Sequence, residues 1–254
     1  MGLKSAVLSG LCDASDKKRE IKNIRIGVKN MYKKGKYQES DRMSDLICGN
    51  YPMLLVMSRF GIALGFGEKN IGEVCRQNQV DTCTFLTVVN FLAEDVPAES
   101  ADFSLEELMR YLHNAHDYFL RFRLPNLRAK LAEAVTDCPD DVAFVIRKFF
   151  DEYAAEVDKH MSYEEKVVFP YVRSLLKGEK SGKYSISIFS KRHDRIDLKI
   201  AELKNILIKY YPGAGSDALN GVLFGIFATE EDLLSHNRVE DCLFVPAITA
   251  LELQ

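Results

Sequence analysis

Apolar residues recur at helical spacing through most of the chain. Strict apolar–polar alternation with β-branched residues is rare. Seven prolines and fifteen glycines are few for 254 residues, so little interrupts the helical pattern. The pattern predicts an all-α protein.

Four long helical patterns fill the second part. The first covers roughly 104–135, with Ser104 and Glu107 spaced as a capping box, and Asp137-Cys138-Pro139 ends it. The second covers roughly 139–177 with a bend near Pro170. The third covers roughly 184–210 and stops at Pro212-Gly213. The fourth, capped by Ser216, runs on with a bend near Pro246. Short connections between four helices predict an up-down-up-down bundle over 104–254. Before it, residues 44–95 read as a small module of short helices with glycine-containing turns at 61–67. The stretch AEDVPAESADF reads as a linker. Residues 1–43 form a basic lead, densest in KKREIKNIRIGVKNMYKKGK at 17–36. Such a run is ordinarily a solvated segment, and the alternative is contact with phosphate or an acidic partner.

Composition narrows the class. A net charge of −3 argues against the whole chain being a nucleic-acid binder, which leaves only residues 17–36 for that role. No apolar run is long enough for a membrane span. The start, MGLKSAVLSGLCDASD, is too short in apolar length for a secretory signal. Six scattered cysteines without a CxxC pair read as reduced thiols in a cytoplasmic protein.

The histidines carry the chemistry. KHMSYEEKVVFP at 159–170 and SHNRVEDCLFVP at 235–246 repeat one arrangement. His160 to His236, Glu164 to Glu240 and Pro170 to Pro246 are each separated by 76 residues. His116-Asp117 and His193-Asp194 are 77 apart. Each half of the bundle thus reads His-Asp and then His-x-x-x-Glu. Four of the five histidines fall on this lattice; His113 does not, because its counterpart is Ser190.

Positions i and i+4 share a helix face. His160 with Glu164, and His236 with Glu240, can therefore aim an imidazole and a carboxylate inward. His116 and His193 join them from neighbouring helices. Buried carboxylates need a counter-charge, and two metal ions bridged by the acids would supply it. Mixed imidazole and carboxylate donors suit iron, with manganese or zinc as substitutes. Glu165, Asp241, Asp117 and Asp194 read as solvent-facing or as partners for imidazole N–H groups.

On these residues, 104–254 resembles a hemerythrin-like (HHE cation-binding) domain. Both halves use His-x-x-x-Glu followed by Phe and Pro, and this is similar to the iron–sulfur cluster repair di-iron proteins (RIC or ScdA type). The resemblance carries over His116, His160, Glu164, His193, His236 and Glu240 as ligands of two non-haem irons with oxo and carboxylate bridges. The block DLICGNYPMLLVMSRFGIALGFG, with IGEVCRQNQVDTCTFLTVVNFL after it, is similar to the small ScdA N-terminal domain. It departs where that domain has a Cys pair: Ala63-Leu64-Gly65-Phe66-Gly67 follows Phe60-Gly61-Ile62. Cys75 matches a later family cysteine only loosely. The resemblance implies cluster repair under nitrosative or oxidative stress, O2, NO or peroxide as small ligands, and an Fe–S client protein. The other readings are an O2/NO-binding sensor or binding module without turnover, iron storage, or a metal site that serves structure alone.

Overall fold

A computed structural model describes residues 35–94, 103–179, 184–189, 194–211 and 217–253, with the side chains of 94 and 194–198 left aside. The described residues are helical throughout, apart from turns and one isolated bridge between Arg42 and Asn70. The fold class is all-α, as expected.

Four short helices open the described chain: α1 (Met43–Gly49), α2 (Met53–Arg59), α3 (Ile71–Gln77) and α4 (Thr82–Glu94). A complete capping box starts α3, with Asn70 and Glu73 bonding each other's backbone N–H. Between α2 and α3 the chain turns through glycines. Gly65 sits at φ +97°, a conformation that any residue with a Cβ resists. A cysteine at that position would be strained in this backbone.

The bundle consists of rods assembled from successive helices. Rod one joins α5 (Leu105–Asp117) to α6 (Leu124–Ala134) through a π turn, Tyr118–Arg123. Rod two joins α7 (Asp140–Tyr163) to α8 (Phe169–Leu176) through the π turn Glu164–Val168. Rod three is α9 (Asp194–Lys209). Rod four joins α10 (Asp217–Val239) to α11 (Val245–Glu252) through the π turn Glu240–Phe244. Rod one packs on two, two on three, three on four and four on one, which closes the ring. Gly225 lets rods one and four approach closely, because a Cβ there would lie 2.9 Å from Leu127 Cδ1.

Each π turn precedes a proline: Pro125, Pro170 or Pro246. In a plain α-helix the ring would collide with the carbonyl four residues back and leave it without a donor. Here Leu124, Phe169 and Val245 donate five residues back, to Phe119, Glu164 and Glu240. The wider turn makes room for the ring. The bends expected at Pro170 and Pro246 are these turns. The apolar period predicts an unbroken helix over 104–135, and the π turn before Pro125 breaks it.

Two local expectations change. Ser104 accepts from the Glu107 N–H, but its own N–H donates to Thr84 of α4 at 2.9 Å, so only half of the capping box forms. The third helix does not begin at 184. Residues 186–188 form a 3-10 turn, because Glu252 takes the Ile186 N–H at 2.8 Å and Ser185 caps Ser187. The region between this turn and α9 lies outside the described residues, as do Pro212, Gly213, Ser216, most of the linker and residues 1–34.

Two apolar cores result. One lies within the far half of the bundle and includes Leu127, Phe150, Tyr153, Leu203 and Ile226. The other is continuous from the N-terminal helices into the near half, joining Met57, Phe60 and Phe85 to Tyr111, Phe169 and Phe244. The seam also holds a buried ion pair, Arg59 Nη2 to Asp232 Oδ2 at 2.7 Å. No described helix is long and apolar enough to cross a membrane.

Candidate metal centre

A polar layer separates the two cores. His116 follows Leu112 of the near core and precedes Phe119 of the far one. Glu164 stands between Met161 and Val168, which divide the same way. His116, Glu164, His236 and Glu240 are at most 2% exposed, and His160 is 8% exposed. Four buried residues, His116, Glu164, His236 and Glu240, each offer a ligand atom within 4.8 Å of the others.

The helical period explains this convergence. His160 and Glu164 are one turn apart on rod two, and His236 and Glu240 one turn apart on rod four. His160 Nε2 lies 3.0 Å from Glu164 Oε1, and His236 Nε2 lies 3.1 Å from Glu240 Oε1. From rod one, His116 Nε2 approaches Glu164 Oε2 at 3.2 Å. The two oxygens of Glu164 therefore face two different imidazoles. Each acid opens its π turn, so the ladder breaks just after the ligand-type residue.

Aromatic rings close the layer. Phe169 stacks on His116 with centroids 5.6 Å apart, and Phe189 stacks on His160 at 5.9 Å. Phe119 meets His236 edge-on at 6.0 Å. Neither of these partner phenylalanines from the flanking turns, Phe119 and Phe189, stands out in the sequence. A regular helix through 184–189 would have placed Phe189 by a different geometry.

Glu165 orients one ring. Its Oε1 accepts from His116 Nδ1 at 2.7 Å and meets His113 Nδ1 at 2.9 Å. With Nδ1–H committed to Glu165, Nε2 is the His116 nitrogen that faces the layer, and its lone pair is open to a cation once its proton is lost. This is the imidazole-partner role expected among the alternatives for Glu165. Burial tends to raise the Glu165 pKa, but the bonds to His116 and His113 outweigh it and hold it below the usual carboxylate range. His113 itself is half exposed and stays outside the layer. Asp117 is at the surface, 3.2 Å from Arg121, and Asp241 is exposed. His193 lies outside the described residues, and so does the side chain of Asp194.

The donor set fits metal ions. Neither carboxylate oxygen of Glu164 and neither ring nitrogen of His236 has a hydrogen bond, although all are buried. Buried acids in that state are costly unless a cation meets them. In the metal-free chain a proton takes part of that role. Burial alone would lower the His116 pKa, but Glu164, Glu165 and Glu240 outweigh it and push it up to about 10.

Cys75 does not replace the absent Cys pair. It is fully buried, and burial pushes its thiol up to about 12, far from a reactive thiolate. Cys48, Cys83 and Cys242 are free and exposed.

None of the curated proteins matches the chain. The family model described as the hemerythrin HHE cation-binding domain matches residues 107–248, more than half of the chain and the span that holds the polar layer. The chain belongs to the hemerythrin HHE cation-binding family.

Proposed function

We propose that the polar layer holds two metal ions, iron foremost, with Glu164 and Glu240 as bridges and His116, His160, His193 and His236 as terminal ligands. The observation that carries this reading is Glu164, whose two oxygens face His116 and His160 separately. A carboxylate divided in this way is placed to meet two ions, one on each oxygen. When bound, such a pair supplies reversible redox change and an open position for O2, NO or peroxide. The chain's own residues fix what surrounds it. Glu165 sets the His116 tautomer, while Phe169, Phe189 and Phe119 keep water from the rings.

The physiological role we infer is repair of iron–sulfur clusters, or a response to nitrosative or oxidative stress. Two symmetric His-x-x-x-Glu pairs and the preceding helical module support it. Thiol-mediated iron delivery is not part of this reading: the loop that would carry the Cys pair holds Leu64 and Gly65, and Cys75 is buried. Any iron donated must leave from the layer itself. The test incubates iron-loaded protein with an apo iron–sulfur protein and follows return of the client's cluster absorption. Restoration at a rate above that of free ferrous iron is expected. Reversible NO or O2 spectra without restoration would favour a sensor instead.

A further inference from the structure

A cavity of about 660 Å3 lies apart from the polar layer, between α2, α4 and α10. That volume suits a single small molecule. Its walls are mainly apolar: Pro52 just before α2, Leu55 and Val56 from α2, Leu92 from α4, and Ala228 and Leu234 from α10. It opens to solvent along Tyr51, Leu54, Ala228 and Leu234 and closes at its floor on the buried Met53, Val56 and Arg59.

The polar groups define the guest. Arg59 and Asp232 line the cavity as a closed ion pair, and Glu231 and Arg238 offset one another. The lining has no net charge to draw an ion. Arg59 is nine-tenths buried or more and spends Nη2 on Asp232; its guanidinium lies beside Tyr111, and its Nε–H makes no hydrogen bond. A buried donor in that state gains from any acceptor brought to it.

We propose that this cavity is a second binding site, for a neutral, mostly apolar small molecule carrying a carbonyl acceptor that is turned toward Arg59. The site is independent of the metal reading. Asp232 nevertheless lies one helical turn before His236, so a guest here borders the same rod as the layer.

Nile red is a suitable probe, being neutral, largely apolar and built around a ring carbonyl. It is titrated into the full chain, with and without metal, and its emission followed. Saturable binding at one dye per chain with blue-shifted emission is expected in both forms. Ala228→Trp fills the cavity from an exposed position and should weaken binding at least about tenfold. Leu234→Glu puts a charge into the wall and should do the same. Phe224→Ala, which trims an exposed aromatic residue outside the cavity, should change nothing. Absence of saturable binding to the wild type would overturn the proposal. So would unchanged binding in folded Ala228→Trp and Leu234→Glu, or loss of binding in Phe224→Ala.

Discussion

Glu165 Oε1 accepts from His116 Nδ1 at 2.7 Å, so a residue next to one buried acid sets which nitrogen faces that acid. Glu165→Ala removes the acceptor and frees the ring to turn. Metal affinity should fall by about 10- to 100-fold, as for other partners of ligating imidazoles. Competition with a coloured chelator measures it, and the circular dichroism spectrum should not change.

His113 touches the same oxygen from outside the layer, at 2.9 Å. His113→Ala should keep the metal content of the wild type. Loss of metal in this variant would place His113, not His116, among the ligands.

Arg59 and Asp232 are buried across the seam between the N-terminal helices and rod four. Removing one partner strands the other's charge. Asp232→Ala should therefore cost about 3–5 kcal/mol in denaturant unfolding. The double replacement Arg59→Met with Asp232→Leu should recover much of that loss.

Above about pH 6.5 the metal-free chain should lose stability as pH rises. The His116 pKa is raised in the fold, to about 10, because Glu164, Glu165 and Glu240 outweigh the effect of burial. Its contribution is complete below the unfolded value of about 6.5 and is lost as pH rises toward the folded value. Denaturation midpoints of chelator-treated protein should fall over that window. His116→Gln should flatten the fall.

Much of the bundle was legible because two periods coincide in it. The 3.6-residue apolar pattern gives the rods, and the 76-residue offset aligns His160 with His236 and Glu164 with Glu240. What was missed depends on contacts between distant residues. Ser104 looks like the start of a full capping box, but Thr84 takes its N–H. Residues 184–189 carry a helix-like apolar pattern, but Glu252 holds Ile186 from the other end of the chain. The π turn before Pro125 shows only once the ladder is drawn, since proline in a helical pattern signals a bend and not its form. Glu165 was readable as an imidazole partner or as a surface acid; only its distance to His116 selects between them.

The most direct test is metal content, with an optical spectrum, on protein produced in iron-supplemented culture. The account predicts about two irons per chain, near-ultraviolet charge-transfer bands, and loss of both in Glu164→Ala. Folded wild-type protein that binds no metal under these conditions would contradict it.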